Sequence, residues 1–266
     1  MLRDITLGQY YQTDSVIHKL DPRVKLIATI AFIISLFVVK SWVGYVVAAV
    51  FLAVVIRLSH VPFRYMVKGM KAIVFIMLIT VVFNLFLTPG EVLVSFWKIR
   101  ITKEGLRQAV TMAVRLSFLI VGSSVMTLTT TPNSLTDAME KLMKPLRVFK
   151  VPVHEVAMMM SIALRFIPIL LEETDKIMKA QIARGADFES GNLIKKAKAM
   201  VPLLVPLFIS AFRRANDLAM AMEARCYRGG EHRTKMKPLK YAVRDRIAYG
   251  VLAAYFVVCI VIGVYL

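Results

Sequence analysis

Five stretches of this chain are apolar over lengths that a small soluble domain would struggle to bury: 26–39, 42–56, 72–87, 105–130 and 247–266. A helix needs about 20 apolar residues to cross a hydrocarbon core of about 30 Å. The last stretch, flanked by Arg244 and Arg246, meets that length unaided. The first two fall short of it. Arg23, Lys25 and Lys40 can snorkel and extend the first, and Trp42 and Arg57 bracket the second at the interfaces, so the pair reads as a membrane hairpin with a tight turn. With 58% hydrophobic residues, the chain lies outside ordinary soluble usage and reads as an integral membrane protein. Residues 1–22 carry Asp4, Asp14 and Asp21 and lack an apolar core, so they do not read as a cleaved signal peptide.

Charge orients the spans. The formal net charge is +18, which cytoplasmic loops and anionic lipid explain better than nucleic acid does. Arg57, His60, Arg64, Lys68 and Lys71 form a basic loop around Pro62, which the positive-inside rule places in the cytoplasm. Two spans precede it, so the N-terminus is expected there too. Asn84 is the one strongly polar residue of the third span, which Thr88-Pro89-Gly90 ends. Residues 91–103 alternate, with Val92, Val94, Phe96, Ile99 and Ile101, and predict a short hairpin at the outer interface with Trp97 as anchor. Arg115 inside the fourth span is either a functional group or a residue snorkelling to the outer surface; its closeness to that surface favours the second reading.

The chain changes character after Thr131 and Pro132. Residues 131–246 hold 21 of the 35 Lys and Arg and 12 of the 17 Asp and Glu. Ser134 and Asp137 are spaced as a capping box, predicting a helix that begins near Ser134. The apolar segments 156–171 and 199–212 are interrupted, the first by Arg165 and Pro168, the second by Pro202 and Pro206. One phrase occurs twice here: Ala180-Gln181-Ile182-Ala183-Arg184-Gly185 and Ala221-Met222-Glu223-Ala224-Arg225-Cys226. Small residues beside one Arg let a helix end approach another protein while the guanidinium pairs with a carboxylate. The same phrase also suits a solvated basic helix C-terminus closed by a small residue. Its recurrence in so apolar a chain favours docking. Two copies serve one partner assembly only from the same compartment, so 199–212 is expected not to cross the bilayer.

The expected fold is an all-α integral membrane protein with about five transmembrane helices and a cytoplasmic domain of long helices. Residues 1–131 supply four spans and an N-terminal arm, 132–246 the cytoplasmic domain, and 247–266 the last span. Catalytic chemistry is not legible. There is no Walker-type phosphate loop and no nucleophile elbow. The four histidines are scattered without metal spacing, and no spanning segment carries an acidic residue. Neither a cofactor nor a metal site is expected, and the basic runs lack the interleaved aromatics of nucleic-acid binders.

These residues carry a resemblance. The stretch from Gly8-Gln9-Tyr10-Tyr11 to Leu20-Asp21-Pro22-Arg23, the segment Met159-Met160-Ser161-Ile162-Ala163-Leu164-Arg165-Phe166-Ile167-Pro168, both Ala-Arg phrases and the final span resemble the T component of energy-coupling factor transporters, the vitamin and metal importers of bacteria. The resemblance implies a non-catalytic scaffold in the bacterial cell membrane. Its long coupling helices would dock two cytoplasmic ATPases through Ala183, Arg184, Gly185 and Ala224, Arg225, Cys226. Cys226 departs from the family's usual Gly. The apolar helix faces, with Ile167, Leu170, Leu203, Leu204, Leu207 and Phe208, would hold a substrate-binding membrane subunit, the S component. The rival readings are a stand-alone membrane protein, either a conventional permease or an enzyme binding lipid or anions through Arg115, Arg165 or the basic domain.

Overall fold

The structure, a computed structural model, describes residues 10–39, 41–96, 99–186, 188, 192–230, 236 and 238–265. Lys40 and Trp97, given roles above, lie outside the described residues, as do Gly8 and Gln9. Among the described residues eight α-helices follow in chain order, with one β-hairpin between the third and fourth. The chain divides into two compact units, Gly8–Ala138 with Leu239–Leu266, and Met139–Pro238.

The first unit is built on α1 (Pro22–Val38), α2 (Trp42–Ser59), α3 (Phe63–Leu87), α4 (Lys103–Thr129) and α8 (Val243–Tyr265). Three of these starts have a side-chain cap. Asp21 caps α1, its carboxylate accepting from the Arg23 amide ahead of Pro22 in the first turn. Ser41 caps α2 and Thr102 caps α4 in the same way. His60, in the left-handed region at φ 53°, closes α2. The predicted hairpin is present as β1 (Val92–Phe96) against β2 (Ile99–Thr102), antiparallel, with Phe96 opposite Ile99 and a bulge between Val92 and Val94.

The interior of this unit is apolar. Phe32 and Leu36 of α1 meet Tyr45, Ala48 and Leu52 of α2, Val121 and Val125 of α4, and Tyr255 and Cys259 of α8. Phe51 stacks on Tyr255 with centroids 4.1 Å apart, and the Tyr255 hydroxyl bonds the Ser35 hydroxyl at 2.8 Å. The outward faces are equally apolar: Val46, Phe75 and Val257 are each more than half exposed. Helices apolar all round are helices with hydrocarbon as solvent.

Span lengths depart from expectation. Among the described residues four helices are long and apolar enough to cross a membrane: α2, α4, α8 and also α6 (Val153–Ala183), whose apolar half the sequence reading kept out of the bilayer. That half, 156–171, continues as one helix through Pro168, which lengthens the element to 31 residues. In contrast α1 has 17 residues, about 25 Å, and the apolar part of α3 is Ile73–Phe86.

The connection to the second unit differs too. α5 (Pro132–Leu142) begins two residues before Ser134. Thr131 is the cap: its hydroxyl lies 3.3 Å from the Ser134 amide and 2.7 Å from the Ser134 hydroxyl. Thr at this position with Pro following outcompetes the later Ser, because proline fits only the first turn. A 3-10 turn (Lys144–Phe149) then leads to α6 and α7 (Leu193–Ala224).

Gly122 marks a close approach in the bundle, since a Cβ there would stand 2.6 Å from the Phe32 ring. Gly122→Val should therefore destabilise the unit by about 1–3 kcal/mol through overpacking, read as a lowered Tm in detergent.

Candidate docking site

α6 and α7 form an antiparallel pair. The Arg214 guanidinium donates to the Glu173 carboxylate at 3.0 Å. Nearer the connection, Gln181 Nε2 stands 3.5 Å from the Pro202 carbonyl, and at the far end His154 lies against Gly230. The prolines explain one of these contacts. Pro206 has no N–H, so the Pro202 carbonyl four residues earlier has no helical donor, and Gln181 approaches that orphan oxygen. Pro168 likewise releases the Leu164 carbonyl within α6.

The two Ala-Arg phrases end these helices in the same geometry. At the first, the Gly185 amide donates to the Ile182 carbonyl at 2.9 Å and the Ala186 amide to Gln181 at 2.9 Å. At the second, the Cys226 amide donates to Glu223 at 2.8 Å and the Tyr227 amide to Met222 at 3.0 Å. Both are complete Schellman caps, with Gly185 at φ 88° and Cys226 at φ 55° in the position that needs a left-handed residue. A capped helix end is rigid, so the preceding Arg is presented from a fixed backbone. Ala183, Arg184 and Gly185 are exposed, and so are Ala224, Arg225 and Cys226. Among the described residues neither guanidinium has a hydrogen bond or ion pair.

The pair separates its two tips. Because α6 and α7 run in opposite directions with Gln181 opposite Pro202, Arg184 sits at the connected end and Arg225 at the other. At 1.5 Å rise per residue the two lie about 40 Å apart along the helices.

The apolar surface is only partly as expected. Leu170, Leu204, Leu207 and Phe208 line one groove of about 450 Å³ on this pair, and Leu204 and Phe208 are half to two-thirds exposed. Ile167 is half-buried and lies outside that lining. Leu203, only 6% exposed, points away from the surface into the packing and is not available for docking. Sequence reasoning missed Val205, Ile209 and Ala211 in the groove, and Phe212, whose ring meets Phe208 at 4.8 Å. The recurrence of Leu204, Phe208 and Phe212 every four residues was the available signal.

Two other sites take on definition in the first unit. Arg115 Nε donates to the Tyr45 hydroxyl at 3.0 Å, with its guanidinium 5.5 Å above the Phe37 ring. Phe37 and Tyr45 flank the α1–α2 turn, so Arg115 lies at the depth of that turn. At the opposite end Asp21 accepts from Arg23 at 2.8 Å, while its own amide donates to Asp245 at 2.9 Å. Arg23 stacks on Tyr241 at 3.8 Å. Lys25, 8% exposed and outside the apolar run of α1, donates to the carbonyls of Thr129 and His18 at 2.8 and 3.1 Å. Burial pulls the Lys25 ammonium down to about 8, against the upward pull of Asp21 and Asp245. Burial pushes the Asp21 carboxyl up, but the bonds and charge of Arg23 outweigh it and the net shift is downward. Among the described residues no group of three metal-ligating side chains exists.

Residues 13–236 match the family model CbiQ, described as cobalt transport protein. The chain is 59% identical over 262 residues to a protein of Clostridium kluyveri named energy-coupling factor transporter transmembrane protein EcfT, covering 98% of this chain and 96% of the relative. Proteins of the same name from Thermosediminibacter oceani and Bacillus subtilis are 56% and 46% identical, each over more than nine-tenths of both chains.

Three outcomes follow from this geometry. Cys226→Gly relieves a side chain at positive φ and should raise stability by roughly 1 kcal/mol, read as a higher Tm. Asp245→Ala strips two backbone donors, Asp21 and Ala242, of their acceptor and should cost about 2 kcal/mol or more. The depressed Asp21 pKa contributes stability that is fully present above the unfolded value near 4 and is lost as pH falls through the folded value. Asp21→Asn should therefore lower Tm at pH 7 and flatten its decline below about pH 4.

Proposed function

The chain belongs to the CbiQ cobalt-transport family, and on that premise we propose that it joins two cytoplasmic ATPases to a substrate-binding membrane subunit. It is a multi-pass transmembrane component of an energy-coupling factor transporter. In this reading it lies in a bacterial cell membrane with its N-terminus in the cytoplasm. Residues 132–246 face the same side, and the chain itself catalyses nothing.

The observation that carries the reading is the pair of matched caps. Two copies of one phrase fold into the same Schellman geometry, each ending in an exposed guanidinium that has no partner among the described residues. Arg184 and Arg225 each enter a groove of one ATPase and pair there with a carboxylate. A planar guanidinium without an internal partner suits a bidentate, charge-assisted contact that forms only on assembly. Ala183 and Gly185 at one tip, and Ala224 and Cys226 at the other, keep the surroundings small enough for that approach.

The separation of the tips gives the mechanism its leverage. When two ATPases close on ATP, tips about 40 Å apart on one antiparallel helix pair are carried toward each other or rotated. The pair cannot compress, so it tilts, flexing where Pro168, Pro202 and Pro206 interrupt the backbone ladder. The groove lined by Leu170, Leu204, Leu207 and Phe208 lies on the same pair, and an apolar subunit seated there moves with it.

Arg184→Glu with Arg225→Glu should abolish co-purification of the ATPases and ATP-driven uptake while leaving the chain inserted. Each single reversal should weaken assembly roughly tenfold, because the second contact holds the partner close. Full uptake in the double variant would reject the docking role. Labelling of Cys226 and of an Ala183→Cys variant by an impermeant maleimide should succeed only from the cytoplasmic side. Accessibility of the two from opposite sides would reject the topology.

A further inference from the structure

In the first unit, α1, α2, α4 and α8 leave a cleft of about 280 Å³ at the end of the bundle that carries Arg57 and Arg244. Its walls are apolar, with Ala28, Phe32, Leu52, Val125 and Leu252 among them. Few polar side chains reach it, and three of these are already satisfied. Lys25 donates to the carbonyls of Thr129 and His18, Thr29 to that of Lys25, and Thr129 to that of Val125. The fourth is Arg244, exposed and without a partner among the described residues. The rim is apolar and open: Val54 and Leu58 on one side, Ile247 and Val251 on the other, are 43–62% exposed.

That combination excludes most occupants. Ordered water needs two to four polar partners, which this wall lacks. A polar metabolite would find nothing inside to bond. A second helix is too wide, being about 10 Å across with its side chains. A hydrocarbon chain needs only apolar wall, and it reaches the rim directly from the surrounding bilayer. The free guanidinium at the mouth, with Arg57 and Arg246 exposed at the same end, adds charge complementarity to a phosphate.

We propose that this cleft holds one acyl chain of an anionic phospholipid, whose phosphate pairs with Arg244. The inference rests on the chain being embedded in a membrane and is independent of ATPase docking. Bound there, the lipid wedges between α1, α2 and α8 beside the Asp21–Asp245 contact and stiffens the end of the bundle at which that contact lies.

The test is lipid retention on the whole transporter, purified in mild detergent and exchanged into phosphatidylglycerol or into phosphatidylcholine with the same acyl chains. Native mass spectrometry of the released transmembrane chain counts what stays. One phosphatidylglycerol should be retained about fivefold over phosphatidylcholine. Arg244→Gln should bring the two to parity while one chain is still held. Ala248→Trp, which fills the cleft from α8, should remove both. If Ala248→Trp disrupts folding, Arg244→Gln, at an exposed position, still decides the matter. Unchanged preference in Arg244→Gln, equal retention of the two lipids by the unaltered chain, or full retention in a folded Ala248→Trp would each overturn the proposal. So would lipid bound to the isolated chain but absent from the assembly, which would assign the cleft to a partner subunit. Because retention is read on this chain, it stays measurable even where Arg184 and Arg225 prove not to dock ATPases.

Discussion

Hydrocarbon offers a peptide group nothing to bond with, and the organisation of this chain follows from that single denial. Every backbone N–H and C=O inside the bilayer must be satisfied within its own helix. The chain therefore runs as long helices, and irregular backbone is confined to their ends. Apolar burial cannot sort inside from outside when the solvent is also apolar. The bundle is held instead by close contact, such as Gly122 against Phe32 and Phe51 against Tyr255, and by the buried hydroxyl pair of Ser35 and Tyr255.

Polar chemistry is thereby pushed to the helix ends, where it does two different jobs. At the Asp21 end it is turned inward. Asp21 joins Arg23 and Asp245, tying together segments more than 200 residues apart in sequence, while Lys25 satisfies the Thr129 carbonyl at the end of α4. Lys25 illustrates the balance. Burial works against its charge, and two carbonyls and two neighbouring carboxylates work for it. At the ends of α6 and α7 polar chemistry is turned outward. The caps consume the last carbonyls, and the arginines beside them have no partner among the described residues. A guanidinium on a rigid cap has the ordering cost of its backbone already met, and only its side-chain rotamers remain to be fixed by a partner.

The prolines connect the two behaviours. Within α6 and α7 they free carbonyls in helices that are otherwise fully bonded, and Gln181, a member of the first Ala-Arg phrase, lies against one of them. The Arg184 tip and the weak point of the neighbouring helix are thus neighbours. A force applied at Arg184 meets a backbone already relieved of part of its ladder.

Much of this was readable in the residues alone, because it depends on local chemistry. The apolar runs announced membrane helices, the alternation at 91–103 announced a hairpin, and the Ala-Arg phrases announced helix ends closed by a small residue. What failed locally failed for a local reason too: Ser134 looked like a cap until Thr131, one residue ahead of Pro132, proved the better placed. Other features depended on how helices meet. Nothing in the pattern separated Leu203, which packs inward, from Leu204, which does not. No spacing rule brings Asp245 to Asp21, or sets Arg115 against Tyr45. The opposite placement of the two arginines follows from the antiparallel pairing of α6 and α7. Sequence determines which residues end a helix, since capping acts over a few residues; only tertiary packing, which acts between residues far apart in the chain, decides where each end points and what stands beside it.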